Sequence, residues 1–342
     1  MKNILVCQVK DSLEYIPLFL THNEKLFDEI HIIDQCSKFD LRDLNNKNPS
    51  IYFYKTSYSF FNAMIGINAV LEFKNIRLES NFTFILDIDE FLPFKNKKDF
   101  HRFLIENKEY DAIKFQWRNG LNFSSERETL GSNSNIKFFN STSSVKKLAY
   151  NAKKTPLFLP YHGNHNAKFH FLKFAIFKKK TNIKNSNIPI LHIPFSSKEN
   201  LLEKAVNFDA SEFIEKIINR HTLTKEIYTR ISNNTATQDD LCFFAANYRT
   251  IGREDIIKAS IDDFERTDIF ASTQKRICFW EEQLRKCKKA NNHSNTAQDE
   301  KIARKILGEK RIGGRYFFYQ SIKKHVKIDN QNLISLHEKI KA

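Results

Sequence analysis

The stretch Phe82-Thr83-Phe84-Ile85-Leu86-Asp87-Ile88-Asp89-Glu90-Phe91-Leu92 carries more information than any other in this chain. Its first half is a continuous apolar run that reads as a strand. The run stops abruptly in Asp87, Asp89 and Glu90, and the i, i+2 spacing of the two aspartates predicts that they project to one side of an extended chain. In open α/β sheets ligands sit beyond the carboxyl ends of strands, which is where these carboxylates emerge. Unpaired, they repel one another, and a bound divalent cation is a natural way to stabilise them. The plain alternative is a solvated turn at a strand end, against which stand Phe91 and Leu92, which a simple surface turn would expose.

Around this segment, short apolar runs alternate with helical patterns over the first 100 residues, as in βαβ units. Strands are predicted at 4–9, 29–33, 51–54 and 82–86, with helices over 13–27 and 60–73 between them. Pro17 starts the first helix or bends it. From 111 to 193 the pattern is strand-like, at 112–117, 136–139, 168–177 and 188–193, and reads as a second half built on the same sheet. After Ser197 the apolar spacing is helical almost to the end. The expected fold is α/β, a Rossmann-like, mostly parallel sheet flanked by helices over residues 1–207, followed by an α-helical C-terminal region over 208–342.

The chain has 342 residues and a formal charge of +15, so its surface favours partners carrying phosphate, nucleic acid or acidic lipid. With 8 Gly against 32 Phe, repeat arrays and glycine-rich linkers are excluded. The five cysteines have no CxxC spacing, which argues against a disulfide framework or a zinc knuckle and for a reducing cytoplasm. The first apolar run is too short for a signal-peptide core, and no run approaches a membrane span. Basic clusters at 285–289, Arg304-Lys305, Lys310-Arg311 and 323–325 are either solvated helix faces or a surface for peripheral contact with an anionic membrane. No nucleic-acid-binding fold or concentrated aromatic and basic face is recognisable, so nucleic acid is not the expected partner.

The block Leu86-Asp87-Ile88-Asp89-Glu90-Phe91-Leu92 resembles the DxD signature of GT-A nucleotide-sugar glycosyltransferases, and in form it is similar to the family-2-like group with a DxDEFL motif. Three further segments match that group in order. Val9-Lys10-Asp11-Ser12-Leu13-Glu14-Tyr15 resembles its opening strand and acidic turn. Ile30-His31-Ile32-Ile33-Asp34-Gln35-Cys36-Ser37-Lys38-Phe39-Asp40 resembles its second strand, and Leu191-His192-Ile193-Pro194-Phe195-Ser196-Ser197-Lys198-Glu199-Asn200 its late histidine strand. The likeness spans roughly residues 4–207.

The resemblance implies a GT-A enzyme, an inverting hexosyltransferase, moving a sugar from a nucleotide donor, of the UDP-sugar kind, onto a glycan or lipid-linked glycan. The setting it implies is bacterial lipopolysaccharide or capsule synthesis, in the cytoplasm or at the inner face of the plasma membrane. It makes Asp89 the principal ligand of Mn²⁺ or Mg²⁺, Asp87 a ligand of the metal or of the donor ribose, and His192 the third ligand; His162 and His165 compete for that place, in a loop that also suits the acceptor or the diphosphate. Asp11 and Asp34 would face the donor base and ribose, although either reads equally as a helix cap. Glu90 would support the metal motif or meet the acceptor. Lys146 and Lys147 lie about where the group carries basic residues, and Lys146 is taken with Lys198, near a helix N-terminus, as a diphosphate contact.

Transfer with inversion needs a carboxylate base. The candidates are Asp111, Glu126 and Glu128, of which Glu126, in a polar loop after Trp117-Arg118-Asn119-Gly120, is preferred. The group's Glu-Asp base and Gln-x-x-Arg-Trp motif are missing in recognisable form, which leaves base and stereochemistry open. Trp117 reads as a sugar-stacking or a core aromatic. Other classes compatible with the sequence are a metal-dependent phosphohydrolase using the same carboxylates, a nucleic-acid-binding protein, and a GT-A domain that only binds.

Overall fold

Strand β1 (Asn3–Val9) is buried along its whole length. Its pleat sends Leu5, Cys7 and Val9 into one apolar cluster and Ile4 and Val6 into another. The same division holds in β2 (Glu29–Asp34), β3 (Ile51–Thr56) and β4 (Phe82–Ile85), where Ile30, Ile32, Phe53 and Phe84 face the first cluster and Ile33, Tyr54 and Ile85 the second. A sheet apolar on both faces must be covered on both. Helix α1 (Ile16–Asn23), with Pro17 in its first turn, covers the first face, and α2 (Ala63–Phe73) covers the second. The computed structural model describes residues 1–58, 63–122, 136–155, 158–160, 164, 167–168, 181–196, 226–227, 229–230, 233, 235–248, 258–270, 274–289, 296–329 and 332–337.

β1 is parallel to β2 and to β4, and β2 is parallel to β3, so the carboxyl ends of all four strands lie along one edge. That is the architecture expected of a Rossmann-like α/β protein. The short helix α3 (Ile76–Glu79) leads into β4, and a two-residue strand β5 (Glu90–Phe91) follows the acidic turn. Helix α4 (Lys97–Glu106) starts where Asn96 Oδ1 accepts from the Asp99 amide at 2.9 Å. The long β6 (Ala112–Asn122) is the hub of the second half. It pairs antiparallel with β7 (Ile136–Phe139) and β8 (Lys146–Asn151), and β8 in turn lies antiparallel to β4, which joins the two halves into one sheet. β9 (Leu159–Pro160) and β10 (Ala167–Lys168) form a separate pair, while β11 (Ile183–Asn185) and β12 (Ile190–Phe195) run parallel to β6.

The C-terminal region supplies the expected helices and also extends the sheet. Helix α5 (Gln238–Ala246) begins with a Thr237/Asp240 capping box, and β13 (Phe264–Arg266) pairs with β7. Helix α6 (Gln274–Arg285) rests on α1, where Arg276 donates to Glu24 at 2.7 Å. The 30-residue α7 (Thr296–His325) rests on α2. The chain then returns through β14 (Val326–Ile328) to β15 (Leu333–Leu336), which lies parallel to β3. These closing strands correct the expectation of an entirely helical tail. The helix expected over 13–27 is likewise shorter: a 3-10 turn, Leu13–Tyr15, precedes α1. The strand expected at 168–177 lies outside the described residues except for Lys168. Among the described residues no helix is long and apolar enough to cross a membrane, and none of the five cysteines is in a disulfide.

Candidate active site

The acidic segment leaves β4 as a tight turn, not as the extended chain its spacing suggested. The Glu90 amide donates to the Asp87 carbonyl at 3.1 Å, and the Asp87 amide donates to Glu90 Oε2 at 2.8 Å. This reciprocal pair fixes the two ends of the turn. Glu90 is fully buried, Asp89 is nearly so, and the Asp87 side chain is 46% exposed. Glu90, expected to assist the metal or acceptor, therefore points into the protein.

The ammonium of Lys147 closes the turn from β8, 2.6 Å from Asp87 Oδ2 and 3.2 Å from Glu90 Oε1. Burial opposes the charge on Lys147, but Asp87 and Glu90 outweigh it and hold its pKa above the ordinary lysine value. Burial drives the Glu90 pKa well above the usual carboxylate range; Lys147 pulls it down and the neighbouring Asp87 and Asp89 charges push it up. The thiol of Cys7 is also pushed well up, by burial and then by the same carboxylates. The pleat of β8 decides which of two adjacent lysines reaches the turn. It is Lys147, paired across the ladder with Phe115, and not Lys146, whose cross-strand partner is Gln116. Of the two lysines expected near the donor, Lys147 is the one that meets the acidic turn.

His192 comes to the turn from β12. Antiparallel pairing sets His192 opposite Glu90, and the Ile193 amide donates to the Asp89 carbonyl at 2.8 Å. These contacts bring His192 Nε2 to 3.7 Å from Asp89 Oδ2. On the other side of the ring, Nδ1 lies 2.9 Å from Asn119 Oδ1, an acceptor that places a proton on Nδ1 and turns Nε2 towards Asp89. Trp117 stacks on the imidazole at 3.9 Å and is itself 1% exposed. It is a core aromatic that orients His192, and an open sugar platform is excluded by its burial.

Asp89 and His192 thus form a carboxylate and imidazole pair, donor types that a divalent cation such as Mn²⁺ takes. Asp87, expected as a ligand of the metal or of the donor ribose, is engaged by Lys147. Among the described residues no group of three or more His, Cys, Asp and Glu side chains converges as a metal site.

Asp11 and Asp34 stand on the same edge, at the ends of β1 and β2. Asp34 is fully buried; its Oδ1 accepts from the Ser37 amide at 2.9 Å, and Ser37 Oγ accepts from the Asp11 amide at 3.0 Å. Asp11, exposed and at φ 51°, accepts from the Lys38 amide at 3.0 Å through Oδ1. The two loops are stitched together: Asp34 holds the backbone three residues on, Asp11 holds that of the neighbouring loop, and neither caps a helix. Asp34 retains a second buried oxygen, Oδ2, with no hydrogen-bond partner among the described residues. Burial pushes its pKa up to about 6, against the lowering influence of Ser37 and of Lys55, its cross-strand neighbour on β3.

Asp111 lies at the opposite end of β6, where its Oδ2 accepts from the Asn182 amide at 2.9 Å, an anchoring role. Glu126, Glu128, His162, His165 and Lys198 lie outside the described residues. Sequence reasoning passed over Asn119 and Ser37. Asn119 carried a signal, a polar residue two positions after Trp117 in a buried strand; Ser37 carried none beyond its place after Asp34.

No protein-family model and no curated protein matches the chain. The fold is of the α/β class, a Rossmann-like sheet flanked by helices, and several solved structures show a weak likeness to the chain. One is a 4-diphosphocytidyl-2C-methyl-D-erythritol synthase, 12% identical over 44% of this chain and 75% of the other, at a TM-score of 0.27. A second is described as a glucose-1-phosphate thymidylyltransferase from Bacillus anthracis in complex with sucrose, 12% identical over 45% of this chain and 72% of the other, at 0.27. A third is a mannose-6-phosphate isomerase from Helicobacter pylori, 9% identical over 56% of this chain and 97% of the other, at 0.28. Likeness at this level bears on no residue of the site and on no activity of this chain.

Proposed function

We propose that the protein is a divalent-metal-dependent GT-A glycosyltransferase that moves a sugar from a nucleotide-sugar donor, a UDP-sugar by preference, onto a glycan or lipid-linked glycan acceptor. The observation that carries the reading is the pair Asp89–His192, 3.7 Å apart, on the sheet edge that also holds the buried carboxylate of Asp34. Mn²⁺ or Mg²⁺ held there would neutralise the diphosphate of the departing nucleotide. Asp34 Oδ2, buried and without a partner among the described residues, suits a nucleobase or ribose donor group. Asn119 and Trp117 orient His192, and Lys147 holds the turn that presents Asp89. The proton of the acceptor hydroxyl goes to a carboxylate base, for which Glu126 remains the candidate. Residues 1–207 form the donor-binding unit in this reading, with 208–342 bracing it. The cytoplasmic face of an anionic membrane is its site of work, and synthesis of surface polysaccharide its setting.

The test is incubation with UDP-sugars and Mn²⁺, and separately with simple phosphate esters. Release of UDP that needs Mn²⁺ and disappears in Asp89→Ala, with the thermal unfolding of that variant unchanged, is expected. Turnover of the esters alone would replace the transferase by a phosphohydrolase.

A further inference from the structure

The basic clusters of the C-terminal region part company when the chain folds. Helix α6 and the turn after it lie on the first face of the sheet, with Ile277, Trp280 and Cys287 in that apolar cluster, while α7 lies on the second, with Ile302, Ala303 and Ile306 in the other. Past the end of α6 the chain runs along the loop that follows β2. The Asp40 amide donates to the Lys288 carbonyl at 3.0 Å, the Lys288 amide donates to Asp43 Oδ2 at 2.9 Å, and Phe39 and Lys289 form an antiparallel bridge. Cys287 is buried there, and Arg285, Lys286, Lys288 and Lys289 are exposed.

That loop leaves the carboxyl edge of the sheet. Asp34 ends β2, and Asp40 Oδ2 stands 3.8 Å from the ammonium of Lys55 near the end of β3. Lys38, also exposed, belongs to the same loop, and its amide donates to Asp11 beyond the end of β1. Lys288 reaches this loop across 245 positions of sequence. Folding therefore gathers Lys38, Lys288 and Lys289 into one ridge beside the loops that carry Asp11 and Asp34.

A helix C-terminus attracts cations, which accounts for Arg285, and Lys286 is paired with Glu282 one turn back. Neither reason covers Lys288 and Lys289, which lie past the helix, or Lys38. None of these three is in a salt bridge among the described residues, whereas Arg42 in the same loop is held by Asp40. The neighbouring carboxylates are engaged already: Asp11 by the Lys38 amide, Asp40 by Arg42 and Asp43 by the Lys288 amide. No aromatic ring is exposed on the ridge; the large apolar residues exposed among the described ones are Met1, Phe73, Leu78 and Ile105. Single-stranded nucleic acid is held by stacking on aromatic rings as well as by charge. A layer of lipid phosphates is held by clustered lysines alone.

We infer that Lys38, Lys288 and Lys289 form the surface through which the protein docks on an anionic lipid bilayer, with the carboxyl edge of the sheet close to the headgroups. An acceptor tethered to lipid would be met at that edge. This rests on the proposed reading of the membrane as the place of work and adds to it the face that docks.

The test is co-sedimentation of the full chain with vesicles of mixed phosphatidylglycerol and phosphatidylcholine, against vesicles of phosphatidylcholine alone. The parent is expected on the anionic vesicles only, and to leave them as salt is raised. The triple variant Lys38→Gln/Lys288→Gln/Lys289→Gln, with its thermal unfolding unchanged, should lose affinity roughly fivefold for each lysine, on the order of 100-fold in all. The three single variants carry the same expectation residue by residue, and arginine at all three positions should bind like the parent. As a control, Lys301→Gln/Arg304→Gln/Lys305→Gln removes the same charge from exposed positions of α7 and should leave binding unchanged. Equal loss in the two triple variants would make the attraction a matter of net charge and overturn the docking face. Unchanged binding of the ridge variant, a parent that does not prefer anionic vesicles, or retention of duplex DNA by a parent that ignores vesicles would overturn it as well. Vesicle binding is read without donor or metal, so it is scored apart from UDP release. Docking through the ridge by a protein inactive towards UDP-sugars would support this surface and remove only the transferase.

Discussion

Asp34 stores free energy that pH can release. Its pKa stands at about 6 in the folded protein, raised by burial from an ordinary 3.8, so between these values the folded chain holds the proton more tightly than the unfolded one. Stability contributed by this group is therefore present below pH 4 and lost as pH rises through 6, by up to about 3 kcal/mol from the size of that displacement. Asp34→Asn keeps an acceptor for the Ser37 amide and removes the titration. Urea unfolding between pH 4 and 7 should show a flatter profile for the variant; parallel profiles would mean that Asp34 ionises as freely in the fold as outside it. A strand-end aspartate was visible in the sequence. Its burial was not, because burial comes from the neighbouring loop that Ser37 ties down and from Lys55 on the next strand.

Among the elements, β6 shows how closely two strands can constrain one position. Gly120 lies opposite Phe138 of β7, and a Cβ there would stand 2.5 Å from the Phe138 ring and 2.9 Å from the Lys137 carbonyl. The ring can turn, but the backbone carbonyl has little room. Gly120→Ala should cost about 1–3 kcal/mol, the usual penalty of overpacking, read as a lower denaturation midpoint with an unchanged slope. A variant as stable as the parent would show that β7 gives way. The sequence made β7 legible to the residue, at Ile136–Phe139, because four residues rich in apolar side chains between polar loops suffice for a strand. It hid β8: none of the strands expected between 111 and 193 covers Lys146–Asn151. Burying a lysine in a strand is favourable here only because carboxylates from a distant turn meet it.

For the molecule as a whole, the last elements are part of the first sheet. β15 continues the parallel array beyond β3, Ile334 is fully buried, and the Lys55 and Ser57 amides donate to Asn332 and Ile334 at 2.9 and 2.8 Å. Deleting residues 326–342 should leave β3 as an open edge, lower the thermal midpoint and shift protein from the monomer to the aggregate peak in size-exclusion chromatography. An unchanged elution profile and midpoint would show that β15 is dispensable. The α/β class, the parallel nucleus and the strand-end carboxylates were readable from periodicity and composition, since a pleat or a helical face repeats within a few residues of sequence. Other features depend on partners far along the chain: Lys147 meets Asp87 across 60 positions, and His192 meets Asn119 across 73. Which of two adjacent lysines turns inward, which aspartate stays exposed and which histidine faces Asp89 are matters of strand register. Register is set by pairing between distant segments and carries no local signature.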